Sequence, residues 1–309
     1  LYLKAVKLKD IALALGLSAS TVSRALNDSW EINEDTKKRV VEYAKKVKYK
    51  PNPIALSLKD KKSKALGVMV PEIANNFFSQ TITGIEDEAH KRGYHIVICQ
   101  SHESLDREIE NINYLGSRQI DGLLISLSGK TTTVGHIFDN LDDPFSVVFF
   151  DRVPQNIECN KVVSDNFGGA YKATKFLIEK GKTKIAHITS PPELSITRER
   201  LAGYQQALID NGMEPNLNLI KYCGFDPAEA YETIHWLDKN ENPDAYFVGS
   251  DRLALNCYEA YQSLNQEKDM FVGFTNLAVS HLFKPKLITV VQPAYEIGRE
   301  AARILIDNI

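Results

Sequence analysis

The spacing of apolar residues changes once along this chain, and the change divides it. Over the first 50 residues apolar positions recur at helical intervals: Ile11 and Leu15, then Val22 and Leu26, then Val40, Ala44 and Val47. Three short helices are predicted. Between the first two, Gly16 permits a tight turn, Ala12 lets the second helix approach, and Val22 packs between them. The third opens on Asn33-Glu34-Asp35-Thr36, a cap residue followed by acids that complement the helix dipole, and should stop before Pro51. After Lys64 the rhythm becomes one of continuous apolar runs: ALGVMV, YHIVIC, GLLIS, FSVVFF, KVVS, KIAHIT, LIKYC, AYFVG, MFVGF and LITVV. Amphipathic stretches such as FSQTITGIEDEAHKRG and GAYKATKFLIEKG separate most of them. Strands apolar on both faces, alternating with helices, indicate parallel sheets covered on each side. Ten runs are too many for one compact doubly wound unit of this length, which predicts two lobes, split after the fourth run near Asp151–Ser164.

The junction PNPIALSLKDK has its own signal. Asn52 can cap a helix and Pro53 suits its first turn, where a missing N–H costs nothing. That helix would end near Lys59, too short to hold alone in water. Ile54 and Leu58 share one face, with Leu56 displaced from it. Such a segment can form against a second copy of itself and wedge a leucine into a DNA minor groove. It can equally be a linker whose apolar residues pack on the body.

Charge sharpens the division. The 309 residues carry a net charge of −3, yet residues 1–64 hold 15 Lys and Arg against 7 Asp and Glu. The remainder holds 22 against 33, a basic head on an acidic body. Phosphate binding by the head alone would produce that asymmetry. The head lacks the amphipathic helix with large apolar residues that membrane docking prefers. No apolar run approaches a membrane span and no secretory signal is visible, so the expected compartment is the cytoplasm. Cys99, Cys159, Cys223 and Cys257 lie far apart and read as buried core thiols, and the seven histidines are equally scattered. Neither a metal nor a cofactor is implied.

Signals of catalysis fail on spacing. Gly129-Lys130-Thr131 and Gly181-Lys182-Thr183 resemble the end of a phosphate-binding loop, but Leu124 and Phe176 stand where its first glycine belongs. Asn166-Phe167-Gly168-Gly169 is not a dinucleotide fingerprint, and no G-x-S-x-G elbow occurs. In the second helix, by contrast, Ala19, Ser20, Ser23 and Arg24 remain on the outward side. Small and polar residues ending in an arginine suit a helix lying in a major groove.

The whole chain resembles the LacI/GalR family of bacterial transcription regulators. The resemblance is carried by KLKDIALALGLSASTVSRALN, TKKRVVEYAKKVKYKPNPIALSL, PEIANNFFSQTITGIEDEAHKRGY, DNFGGAYKATKFLIEKG, RERLAGY and LITVVQPAYEIGREAA. It implies an α/β two-lobed sensor like the periplasmic sugar-binding proteins, with parallel sheets and helices on both faces, preceded by a small all-α helix-turn-helix headpiece. The expected domains are a headpiece at 1–50, a hinge helix and linker at 51–64, and an effector-binding and dimerisation domain at 65–309. Within the last, one lobe covers about 65–163 plus 291–309 and the other about 164–290. The implied partners are near-palindromic double-stranded operator DNA, a small-molecule effector of carbohydrate type and a second copy of the chain. No membrane partner is implied.

By the same resemblance Ala19 and Ser20 occupy base-reading positions, while Thr21, Ser23 and Arg24 hold backbone or base edges, with Asn27 closing the DNA-contacting helix. Asn52, Ala55 and Leu58 belong to the hinge, Leu58 as the minor-groove leucine and Ala55 as the packing alanine. Leu56 stands where a polar or basic residue is usual, and Lys48 where Gly or Asn is common. Effector-lining positions fall on Phe77, Phe78, Ser126, Asp151, Arg200, Phe225, Asp251 and Gln292. Aromatic rings would stack on a sugar's C–H face while Asp, Arg and Gln take its hydroxyls. Thr275 replaces an acid that many similar chains use on their effector. A transporter's solute-binding protein would share the two lobes but has no use for the basic head. The chain stops at Ile309, inside its last amphipathic stretch, where similar chains usually continue with a further strand.

Overall fold

A computed structural model describes residues 6–49, 62–138, 145–155, 157–264, 270–277, 280–284 and 286–309. The chain forms two compact units, Leu1–Ser63 and Lys64–Ile309.

The described part of the first unit is three helices, α1 (Leu8–Leu15), α2 (Ala19–Leu26) and α3 (Glu34–Lys46). Ile11, Ala12, Val22, Ala25, Val40 and Ala44 form its buried core. Each start has a local cause. Asp10 accepts the Lys7 N–H at 2.8 Å, Ser18 accepts from Thr21 at 3.0 Å, and Asn33 accepts from Thr36 at 2.8 Å. Gly16 ends α1 in the left-handed conformation at φ +67°, and the Leu17 N–H then reaches back to the Ala12 carbonyl. Lys48 makes the corresponding turn after α3 at φ +52°. That backbone requirement is the physical reason for Gly or Asn to be preferred at this position.

The second unit contains two five-stranded parallel sheets. The first runs β2-β1-β3-β4-β5 and the second β10-β9-β8-β6-β7. The strands are β1 (Ala65–Val70), β2 (His95–Gln100), β3 (Gly122–Ile125), β4 (Ser146–Phe150), β5 (Asn160–Val162), β6 (Ile185–Thr189), β7 (Ile220–Tyr222), β8 (Ala245–Val248), β9 (Met270–Phe274) and β10 (Leu287–Val290). Helices alternate with them: α4 (Asn76–Lys91), α5 (Leu105–Ser117), α6 (Gly135–Phe138), α7 (Asn166–Glu179), α8 (Ser195–Asp210), α9 (Pro227–Asn240), α10 (Asp251–Gln262) and α11 (Ala294–Asp307). Counted within its own lobe, each sheet has the same strand order, 2-1-3-4-5.

The central strands of each sheet, β1, β3 and β4 in the first and β6, β8 and β9 in the second, are buried, which is why they read as unbroken apolar runs. The edge strands β2, β5 and β7 hold no buried residue. In the first lobe Leu66, Val68, Leu124 and Val148 pack with α4 and α11, while Met69, Leu123, Ile125 and Phe149 pack on the opposite side with Ile112 and Leu115 of α5. All ten apolar runs are strands, but the expected split after the fourth needs correction. The fifth, Asn160–Val162, pairs in parallel with β4, so the chain crosses lobes after it. Residue pairing between neighbouring strands is invisible in a run's own composition.

The chain returns to the first lobe at the end. The last helix, α11, lies against α4, and two glycines allow this approach. A Cβ on Gly298 would stand 2.0 Å from the Thr81 carbonyl oxygen, and one on Gly84 would stand 2.1 Å from that of Tyr295. Of the cysteines expected to be buried, Cys223 and Cys257 are, whereas Cys99 and Cys159 are only half-buried; all four are free. No described helix is long and apolar enough to cross a membrane.

Candidate functional site

In the first unit, α2 presents Ser20, Arg24 and Asn27 to solvent, with Ala19, Thr21 and Ser23 half-buried beside them. The Ser18 hydroxyl lies 2.8 Å from both the Ser20 and Thr21 hydroxyls, which fixes the first turn of the helix. At its other end Asn27 donates to the Ser23 carbonyl at 2.7 Å. Arg24 is held by Glu31 at 3.0 Å, a partner the sequence pattern did not suggest. Trp30, next to that acid, is 89% exposed. Asn52, Ala55 and Leu58 lie outside the described residues.

In the second unit the site positions gather at the carboxyl ends of strands, where open parallel sheets bind ligands. The order 2-1-3-4-5 places a switch point between β1 and β3 and another between β6 and β8. Phe77 and Phe78 begin the helix after β1 and Ser126 follows β3. Ser190 follows β6, with Thr197 and Arg200 on the helix beyond it, and Ser250 and Asp251 follow β8. Both sheets therefore aim the same part of their topology at one region.

Asp151, the first residue after β4, is 6% exposed and adopts φ +57°. Burial pushes its carboxyl above the usual range, opposed by the nearby guanidinium groups of Arg200 and Arg152. No described residue donates a hydrogen bond to its side chain. Arg200 is 2% exposed. It donates to Asn166 Oδ1 through Nε at 3.0 Å and through a terminal nitrogen at 2.8 Å, and also to the Gly249 carbonyl. Its guanidinium lies 4.0 Å from the Phe274 ring centroid, and burial pushes its pKa down to about 10. Arg152, which the sequence reading missed, bridges the lobes through rings. It lies 5.8 Å from the Phe78 ring of the first lobe and 5.3 Å from the Phe225 ring of the second. Glu103 grips it at 2.8 and 2.9 Å.

Asp251 and Gln292 have protein partners. The Asp251 carboxylate accepts the Thr275 hydroxyl, and the backbone N–H groups of Asn76 and Phe77 at the start of α4, across the lobes, oppose the rise that burial gives its pKa. It thus sits at the positive end of a helix. Asn76 donates to the Asn276 carbonyl at 2.7 Å, and Asn276 to Gln80 at 3.1 Å, which completes a polar latch between the lobes. Gln292 donates to Ser164 at 2.9 Å and ties two interlobe segments together.

Several buried hydroxyls have no partner among the described residues: Ser101, Ser126, Thr189, Ser190, Thr197 and Ser250. All but Thr197 lie at or just beyond the carboxyl end of a strand. The strand-end rule could have named Ser101, Ser190 and Ser250 from sequence; Arg152 could have been found as the neighbour of Asp151. Beneath this region His187 stacks between Tyr204 and Phe247, with ring centroids 4.9 and 4.6 Å away. Burial pushes its pKa down to about 4, so it is neutral and its Nδ1–H donates to the Phe247 carbonyl at 3.1 Å.

Comparison with known proteins follows the same division. Residues 7–52 match the model for bacterial regulatory proteins of the lacI family. Residues 63–309 match that for periplasmic binding proteins and the sugar binding domain of the LacI family. The chain is 33% identical to the HTH-type transcriptional regulator RegA of Clostridium saccharobutylicum, over 98% of this chain and 92% of that one. It is 32% identical to catabolite control protein A of Priestia megaterium, over 97% and 91%. Among solved structures, the complex of the transcriptional regulator CelR with cellobiose is 27% identical, with a TM-score of 0.70, and covers 98% of this chain and 93% of that one. The Lac repressor dimer bound to operator is 22% identical with a TM-score of 0.81, over 99% and 93%, a likeness of fold.

Proposed function

From the premise that this chain belongs to the LacI family, and is a transcriptional regulator and not an enzyme, we propose how its two units divide the work. The first unit reads one half of a near-palindromic operator through α2. Ala19 and Ser20 meet base edges at close range. Thr21, Ser23 and Asn27 fix the helix on the backbone, and Arg24 supplies the strongest base contact. The segment 51–64 is the hinge, with Leu58 entering the minor groove beside its counterpart from a second chain, Ala55 packing the pair and Asn52 capping it. The regulator works as a homodimer in the cytoplasm, where the DNA lies.

The second unit takes a small carbohydrate between a lobe of about 65–163 plus 291–309 and one of about 164–290. Asp151 accepts sugar hydroxyls, Arg200 donates to them, Ser126 donates or accepts, and Phe225 with Phe78 covers an apolar ring face. Phe77 shapes the wall behind. Asp251 and Gln292 act by holding the lobes at the distance the ligand requires. The observation that supports this reading best is Asp151, a buried carboxylate that no described residue bonds, set near the Arg200 guanidinium and within one topological switch region. Relief of that unmet demand by ligand hydroxyls rewards closure, and closure biases the hinge pairing that DNA requires.

Thermal unfolding of the full chain against neutral sugars, uronic acids, sugar phosphates and purines tests the second unit. A bound ligand should raise stability by roughly 2.7 kcal/mol at a hundredfold excess over its Kd. Arg200→Ala should abolish the rise. Stabilisation by a purine and by no sugar would replace the carbohydrate reading. For the first unit, Arg24→Ala should lower affinity for operator far more than affinity for random duplex. An equal loss on both would remove its base-reading role.

A further inference from the structure

A cavity of about 520 Å3 opens beside the cleft, and Arg152 belongs to both. None of the residues assigned above to effector contact lines this second space. Its walls come from both lobes: Leu127, Ser128 and Thr131 to Gly135 after β3, Arg152 to Gln155 and Ile157 after β4, and Glu193 to Ser195 and Arg198 at the start of α8. A volume in this range is ordinary for a small-molecule site.

The walls are built and not incidental. Buried Glu108 accepts from the Ser128 N–H and the Thr131 hydroxyl, each at 2.8 Å, and lies 3.0 Å from His136 Nε2. Glu103 accepts the Gly129 N–H at 2.7 Å with the same carboxylate that grips Arg152. Two carboxylates thus hold the hydroxyl-bearing loop and the arginine in fixed relation. Arg152 is only 5% exposed, and its Nε has no partner among the described residues. A buried donor of this kind asks for an acceptor.

Charge selects the class of ligand. Glu103 offsets Arg152, and Glu193 stands on the same wall as Arg198, so the cavity carries no surplus of positive charge to hold a phosphate. Exposed hydroxyls from Thr132 and Thr133, backed by those of Ser128 and Thr131 that bond each other and Glu108, suit a neutral polyol. Continuity follows from Arg152, which faces Phe78 and Phe225 in the cleft while lining the cavity.

We propose that this cavity is a second sugar subsite contiguous with the cleft, and that the effector therefore contains at least two linked sugar units. The inference rests on the carbohydrate reading of the cleft. One ring lies between Asp151 and Phe225, and the next lies past Arg152 against the threonine loop, taking its Nε–H through a ring or linkage oxygen. Because both lobes line the second space, the added unit contributes to closure as well as to affinity.

The test is titration calorimetry of the full chain with glucose, galactose, mannose and xylose, each beside its β-1,4-linked and α-1,4-linked disaccharides. At least one disaccharide should bind about tenfold more tightly than its own monosaccharide. Thr133→Trp, on an exposed part of the loop, should reduce that ratio to about one by filling the space. Arg152→Lys, which keeps the charge and removes the Nε donor, should also reduce it, and melting curves establish that both variants fold. A monosaccharide that binds as tightly as its disaccharides would overturn the second subsite while leaving the cleft reading intact. A ratio unchanged in Thr133→Trp would overturn it too. Binding by none of these sugars would sink the carbohydrate reading and this inference with it.

Discussion

Lowering the pH from 7 to 5 should destabilise the second unit through His187. The ring is buried between Tyr204 and Phe247, and burial, with a further push from Arg200, takes its pKa from 6.5 to about 4 against the opposing Phe247 carbonyl. The folded state therefore prefers neutral imidazole, and the unfolded state takes up a proton first. Stability from this group is complete above pH 6.5, falls as the pH drops toward 4, and is level below that. Integrated between pH 7 and 5, the loss is about 2 kcal/mol. Asp151 and Asp251 act in the opposite sense, since burial raises both carboxyls and protonation then favours the fold. A comparison with His187→Phe isolates the histidine, because phenylalanine keeps the stack and cannot titrate. Urea unfolding followed by Trp236 in a Trp30→Phe background reports on the second unit alone, as these are the only two tryptophans. The parent should lose about 2 kcal/mol more than His187→Phe between the two pH values. Equal losses in both chains would refute the reasoning.

Gly298→Ala should destabilise the second unit by about 3 kcal/mol in urea unfolding, because the new methyl group meets the Thr81 backbone and neither helix can yield; a loss under half of that would mean the helices separate freely. Lys48→Gly should stabilise the first unit by about 1 kcal/mol, read from Trp30 fluorescence on heating, since the left-handed turn then carries no Cβ; an unchanged or lower Tm contradicts it. Asp251→Asn should reduce the stability of the second unit by about 1 kcal/mol, as its one amide oxygen can take the Thr275 hydroxyl but leaves an NH2 group toward the N-terminus of α4. Glu31→Gln should leave thermal stability within about 0.5 kcal/mol, because its pair with Arg24 is solvent-exposed. It should nonetheless raise affinity for random duplex by removing a negative charge beside α2, and fluorescence anisotropy at two salt concentrations would expose a failure of either half.

The sequence by itself determined the division into a helical head and an α/β body, every strand of that body, and the residues that α2 turns outward. It did so because these features are encoded in neighbouring residues: helical spacing of Ile11, Leu15, Val22 and Leu26, unbroken apolar runs, and caps such as Asn33. It also placed Ser126 and Asp151 at strand ends, where sheet topology alone makes a site, and picked out Arg200 through the resemblance of RERLAGY. What it could not hold was lateral information. That β5 joins the first sheet depends on its pairing with β4, and that Lys48 must turn left-handed depends on how α3 terminates. Asp251 and Gln292 look like free polar side chains in a string of letters. In the folded chain one accepts the Thr275 hydroxyl and the other ties Ser164. Asn76 and Asn276 stand 200 positions apart and yet share a hydrogen bond, while Arg152 gained its place because rings from two lobes converge on it. Periodicity records which residues leave water; only the tertiary structure decides which of them meet, because hydrogen bonds and ring contacts are satisfied by proximity in space and not by order along the chain.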